Sequence, residues 1–295
     1  MLTQEQIDFY NTNGYIVVED VISAQDIADL RKITEEFVEK SRETTEHNDV
    51  FDLEPGHTPN APQLRRLKNP VVLHPIYDRM LRHDSILDSV AQLIGPNVRY
   101  DTSKLNMKSA GFGSPVEWHQ DFAFATPVTN DDMLSVGVAI DDMTKENGCL
   151  LFIPGSHKGP IYDHYENDVF VGGITDPEFR PDNAVPIEVT AGGITIHHTC
   201  TLHASAPNLS GQSRRLLLLQ YAAADTLSKR PITDWDALDA AILRGEQVRE
   251  PRYTDIPHVP RPDNPRPSGR GGSIYEIQTL LAKKRVSDNA PEQKR

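Results

Sequence analysis

The sequence predicts a mainly β domain, a sandwich or barrel, with helices gathered in the N-terminal hundred residues. Three observations carry this. Up to Ile94 the apolar residues recur at helical spacing behind capping signals; from Val98 onward short segments alternate in polarity between turn signals; and 295 residues suffice for one large domain, a length all-β folds with helical additions often use without splitting.

The elements follow in chain order. Thr3 with Gln6 reads as a capping box, and Ile7 with Tyr10 forms a short apolar stripe ending at Gly14, so a helix is expected over 3–12. Tyr15–Val21 is rich in β-branched residues, a strand. Ser23 with Asp26 starts a longer helix to about Arg42 that carries Ile27, Leu30, Ile33 and Phe37 on one face. Residues 43–63, polar and with three prolines, are expected to form a loop able to cover a site. Ser85–Ile94 is a further helix, stopped by Gly95-Pro96. Strands are expected at 101–108, 133–140, 150–153, 186–189, 193–198 and 216–221. Residues 250–272 are dense in Pro, Arg and Gly and cannot form regular structure; a short helix, 274–284, and a charged tail finish the chain. The expected division is 1–97 helical, 98–225 β core, and 226–295 loop-rich extension, all one domain.

A net charge of −13 excludes the basic stripe that nucleic-acid binding needs and opposes adhesion to anionic lipid. Met1–Gln6 carries no basic leader or apolar segment, and no apolar run is long enough to span a bilayer, so a soluble cytoplasmic protein is expected. Two cysteines, Cys149 and Cys200, are too few for a disulfide framework.

The chemistry resides in His119-Gln120-Asp121, in His203 within His-Ala-Ser-Ala-Pro-Asn, and in Arg214 eleven residues beyond it. Alternate residues of a strand share a face, so His119 and Asp121 can meet one ion while Gln120 points away. Two imidazoles and one carboxylate make the facial triad of non-haem Fe(II) oxygenases. His197 and His198 compete with His203 on composition alone. A zinc hydrolase would add a general base such as the Glu of His-Glu-x-x-His, which is missing. Arg214 and Arg215 must point to opposite faces of their strand; the buried one needs an anionic partner. On 101–108 the even positions Thr102, Lys104, Asn106 and Lys108 are polar, either facing water or lining a cavity.

These residues resemble the phytanoyl-CoA dioxygenase family of Fe(II)- and 2-oxoglutarate-dependent oxygenases, from Phe9-Tyr10 and Asn13-Gly14-Tyr15 through Asn147-Gly148-Cys149-Leu150 and Ile153-Pro154-Gly155-Ser156-His157 to about Tyr221. The resemblance selects His203 over its neighbours and implies Fe(II) on His119, Asp121 and His203. It also implies 2-oxoglutarate, with Arg214 on the distal carboxylate and Asn106, Ser205 and Trp118 beside it. The fold expected is then a double-stranded β-helix, a jelly-roll barrel with the N-terminal helices packed on one side. The reaction implied consumes O2 and 2-oxoglutarate, releases succinate and CO2, and hydroxylates an unactivated C–H bond. Related halogenases lose the carboxylate that this chain keeps as Asp121. Lys104 and Glu117 are candidate substrate contacts. Lys104 and Lys108 point to an anionic group on a small polar metabolite or natural-product intermediate. The alternatives are the same chemistry on an acyl-CoA thioester, or a metal-binding jelly-roll module without turnover. A monomer or homodimer is expected.

Overall fold

The computed structural model describes residues 1–125, 127–176, 178–263 and 265. The helix expected at 274–284 lies outside them. Helix α1 (Gln4–Asn13) begins with the capping box: Gln6 N–H donates to Thr3 Oγ1 at 3.2 Å and Thr3 N–H to Gln6 Oε1 at 2.9 Å. It stops at Gly14, whose φ of 80° a residue with a Cβ adopts only at a cost. Strand β1 (Tyr15–Val18) follows, and α2 (Ala24–Lys40) starts where Ser23 Oγ accepts from Asp26 N–H. The stretch expected to be an uninterrupted loop contains β2 (Phe51–Leu53), which pairs with β3 (Leu64–Lys68). A three-residue strand is too short to show periodicity. It forms because Asp52, fully buried, meets Lys68 Nζ at 2.9 Å across the pair. Three short helices come next: α3 (Pro70–Leu73), α4 (Pro75–Leu81) and α5 (Asp84–Ile94).

The β region comprises β4 (Val98–Lys108), β5 (Val116–His119), β6 (Met133–Ala139), β7 (Leu150–Phe152), β8 (Tyr165–Glu166), β9 (Val169–Phe170), β10 (Val185–Ile187), β11 (Ile194–His198), β12 (His203–Ser205) and β13 (Arg214–Ala223); α6 (Trp235–Ala240) and β14 (Ile242–Arg244) follow. The larger sheet runs β1-β11-β6-β13-β4-β3-β2 with β14 also on β4; the smaller runs β10-β7-β12-β5. Two antiparallel sheets face to face make the jelly roll. Residues 1–97 thus contribute three strands to the larger sheet as well as helices, because β1 pairs along β11 and β3 along β4.

Strand β13 shows how the layers divide. Leu217, Leu219 and Tyr221 belong to the core shared with Leu30, Phe37, Tyr77 and Ile86 of the helices, whereas Leu216 and Leu218 join Tyr15, Leu150 and Phe152 between the sheets. A run of four leucines therefore fills two cores, the mark of a strand buried on both faces. On β4, Leu105 and Met107 likewise pack toward the helices, so Lys104 and Asn106 face the barrel interior. Between Tyr100 and Thr102 the ladder slips by one: Gln220 pairs with Thr102, Tyr221 with Tyr100, and Asp101 is the extra residue of a β-bulge.

Gly148 sits in the turn before β7 at φ 80°, and a Cβ there would collide with the carbonyl oxygen of Ala206. Gly148→Ala is expected to lower unfolding stability by about 1–3 kcal/mol, the cost of a left-handed non-glycine residue before the clash is added. Chemical denaturation checks this; wild-type stability would contradict the turn described.

Candidate metal and cosubstrate site

His119 ends β5 and His203 begins β12, and the two are directly paired across the smaller sheet with ring centroids 4.0 Å apart. Each ring is fixed by its Nδ1–H donating to a carbonyl two residues earlier: His119 to Glu117 O at 2.8 Å, His203 to Thr201 O at 2.9 Å. That tautomer leaves both Nε2 lone pairs free to bind a metal. They face Asp121 Oδ1 at 3.8 and 3.9 Å.

Asp121 does not continue the strand as the spacing suggested. It opens a 3-10 turn, Asp121–Phe124, because Gln120 swings the chain away: its side-chain amide donates to Pro160 O and Cys200 O, and its backbone N–H to His164 Nε2. One ligand atom from each of His119, Asp121 and His203 lies within 4.8 Å of the others, and all three residues are buried. This set fits one divalent ion with positions left open.

The carboxylate is held from several sides. Lys104 Nζ approaches Oδ1 at 3.3 Å, Ser135 Oγ donates to Oδ2 at 3.0 Å, and His197 Nε2 lies 3.4 Å from Oδ2, within ion-pair reach though not in hydrogen-bond geometry. Burial pushes the Asp121 carboxyl up, but Lys104, His197, His203 and His119 overcome it and hold the group well below the usual carboxylate range. Burial, aided for His119 by His203, pulls the ligand imidazoles down, His203 to about 4. At neutral pH the site thus presents two neutral imidazoles and one carboxylate, the forms a metal requires.

A cavity next to these donors is lined by Asn106, Ser205, Arg214, Lys104 and His197, together with Arg66 of β3. Arg214 is 2% exposed; its Nη2 donates to Gly148 O at 2.9 Å. Arg215 points the other way, toward α2, in a bidentate pair with Asp141 at 2.7 and 2.8 Å. The two guanidiniums divide as adjacent strand residues must. Asn106 Oδ1 accepts from Arg66 Nε at 3.1 Å.

Trp118 and Glu117 are not brought to this cavity. The β5–β12 register slips between His203 and Ser205, so Val116 rather than Glu117 shares the inner face with His119; Glu117 is exposed, and Trp118 packs edge-on against Phe179. Lys108 is buried and donates to the carbonyls of Ser114 and Ala206 at 2.7 and 2.5 Å, so it ties two loops together rather than meeting an anion in the cavity. Arg66 and Ser135 were not named as members of the site by sequence reasoning, and His197, a rival of His203 on composition, stands beside the carboxylate instead. The run Leu64-Arg65-Arg66-Leu67-Lys68 has no strict alternation to signal Arg66, which reaches the site only because β3 pairs with β4.

The phytanoyl-CoA dioxygenase (PhyH) family model matches residues 10–216. A "probable alpha-ketoglutarate-dependent hypophosphite dioxygenase" of Stutzerimonas stutzeri is 33% identical over 287 residues, covering 95% of this chain and 98% of that protein. A phytanoyl-CoA dioxygenase of Arabidopsis thaliana is 30% identical over 262 residues, covering 76% and 90%. Among solved structures, EctD from S. alaskensis with 2-oxoglutarate and 5-hydroxyectoine superimposes with a TM-score of 0.65 at 23% identity over 78% of this chain and 79% of that one, a likeness of fold. With the triad geometry and a match across most of the chain, the protein belongs to the phytanoyl-CoA dioxygenase family of Fe(II)- and 2-oxoglutarate-dependent oxygenases.

Proposed function

We propose that this dioxygenase hydroxylates an unactivated C–H bond of a small polar molecule bearing an anionic group, converting 2-oxoglutarate and O2 to succinate and CO2. The single observation that carries it is that two members of the His119–Asp121–His203 donor set, the histidines, and the buried Arg214 guanidinium line one cavity. His119, Asp121 and His203 would hold the iron, which when bound activates dioxygen. Arg214 would pair with the distal carboxylate of 2-oxoglutarate, where the guanidinium fork matches two oxygens, while Ser205 and Asn106 contribute hydrogen bonds from the same cavity. Lys104 would keep Asp121 ionised and present a cation on the side where an anionic substrate approaches.

Two features favour a small substrate over an acyl-CoA thioester. The relative named for hypophosphite aligns along nearly the whole chain. The segment 160–184, which packs on the metal turn through His164 and Phe170, carries six carboxylates against Arg180 alone, a field that repels the phosphates of coenzyme A. A metal-binding module without turnover would have no use for Arg214 in the cavity wall.

Asp121→Ala is expected to abolish iron binding and succinate formation, because it removes the only anionic ligand of the three; near wild-type turnover at saturating iron would refute the assignment. His198→Ala should leave measurable activity, since its Nε2 faces Asp131 at 3.9 Å and not the metal donors. Arg214→Ala should weaken 2-oxoglutarate binding by about 2–5 kcal/mol, the range for breaking a buried charge pair. Arg215→Ala should instead cost stability through the lost Asp141 pair; calorimetric titration of 2-oxoglutarate into both variants separates the two arginines. Lys104→Met should weaken apparent affinity for the prime substrate and increase turnover uncoupled from its oxidation, whereas Asn106→Ala should weaken apparent affinity for the cosubstrate; steady-state kinetics with both substrates varied would reveal the opposite pattern if the two positions are reversed.

A further inference from the structure

A second hollow opens on the far side of the metal donors from Arg214. Its walls include Arg99 and Asp101 of β4, Phe124 of the metal turn, Met133, Leu227 and Leu238. The β-bulge at Asp101 creates it. Before the bulge the odd residue Arg99 faces inward, and after it the even residues Lys104 and Asn106 do; the extra residue lets Asp101 stay on the inner side while Tyr100 remains packed on the helical core. One strand therefore carries a file of polar side chains from this hollow, past the metal carboxylate, to the 2-oxoglutarate cavity.

The hollow is coupled to the metal by two contacts. The Phe124 ring stands edge-on to the His119 ring at 6.3 Å, and the residue is 45% exposed. On the polar side, Asp101 Oδ2 accepts from Gln220 Nε2 at 2.9 Å, and Gln220 Oε1 meets the Ser135 hydroxyl that also reaches Asp121.

Within this wall Arg99 is the unusual residue. Its Nη2 donates to Thr226 O at 2.6 Å, but its buried Nε has no hydrogen-bond partner among the described residues. Burial pulls the guanidinium down from the ordinary arginine value, and the charge of Asp101 offsets this. A guanidinium with an N–H donor to spare in a largely apolar wall can receive an oxyanion. Asp101 at the same end disfavours a multiply charged head such as a diphosphate. The apolar remainder of the wall would stay wet against an inorganic ion, and burying it requires a hydrocarbon body.

We propose that this hollow is the subsite for the prime substrate, and that the substrate is an organic molecule with an apolar body and a single anionic group, carboxylate or phosphonate, paired with Arg99. This rests on the dioxygenase assignment above and narrows the anion-bearing molecule named there to one with an apolar body, its anion paired with Arg99 and not with Lys104. Phenylacetate and benzylphosphonate serve as probes, phenylacetamide as the uncharged isostere and hypophosphite as the inorganic oxyanion. With iron and 2-oxoglutarate present, both organic anions are expected to bind at least tenfold more tightly than the amide and than hypophosphite. Arg99→Gln should erase the advantage over the amide by weakening the anions tenfold or more, while the amide changes less than twofold. Arg99→Lys should restore part of it.

Because Arg99 also bonds Thr226, a second variant guards against misfolding: Leu238→Glu, on the open part of the wall, should weaken the anions more than the amide. Equal affinity for anions and amide, preference for hypophosphite, or unchanged anion binding in Arg99→Gln at a wild-type melting temperature would each overturn the subsite. A separate assay of 2-oxoglutarate turnover without probe distinguishes the underlying assignment: if the iron-loaded protein forms no succinate under any condition, the dioxygenase reading falls and the substrate class with it, whereas succinate formation with the wrong binding pattern overturns the subsite alone.

Discussion

The structure is organised around one buried carboxylate. Asp121 is 6% exposed, and a charge so placed survives only if opposite charge and hydrogen-bond donors converge on it. Lys104 from β4 supplies the charge and Ser135 from β6 the donor, while His197 from β11, His119 from β5 and His203 from β12 crowd the same two oxygens, so that both sheets take part. Five elements must be in register before the group can be ionised inside the barrel. The jelly roll is the device that brings them together, and the metal ligands are the part of that convergence left with free lone pairs.

The carbonyl-anchored imidazoles illustrate how little of such a site is made by the ligands alone. His119 and His203 would be ordinary titrating histidines on a flexible loop. Locked by Glu117 O and Thr201 O, and kept neutral by burial, they are preorganised acceptors for a cation, so ion binding need not also order the rings. Gln120 acts in the same way at one remove: by clasping the 160–164 segment and Cys200 O it forces the turn that lifts Asp121 out of strand geometry and aims it between the two rings.

Strand β4 gives the barrel interior its chemical gradient. Its inner face passes from Arg99 and Asp101, through Lys104 at the Asp121 carboxylate, to Asn106 near Arg214, and then to Lys108, whose Nζ is spent on loop carbonyls. The bulge at Asp101 makes the two halves of this file serve different cavities. In a regular strand Arg99 and Asp101 would point with Leu105 into the helical core, where unpaired charges are not tolerated.

The sequence by itself determined what is local: the caps of α1 and α2, the alternation that marks strands, the triad residue types at their spacing, and the opposition of Arg214 to Arg215, which neighbouring residues of any strand obey. It suggested, correctly, that polar residues of 101–108 share a face, though not which side of the sheet that face meets. Only the tertiary structure decided what depends on partners remote in the chain. The slip between β5 and β12 turned Glu117 outward, the 3-10 turn replaced the strand assumed for Asp121, β2 emerged from the stretch read as a loop, and Arg66 entered the site through the pairing of β3 with β4. Periodicity records the side-chain alternation of an isolated strand, whereas bulges and register are set by the strand lying alongside.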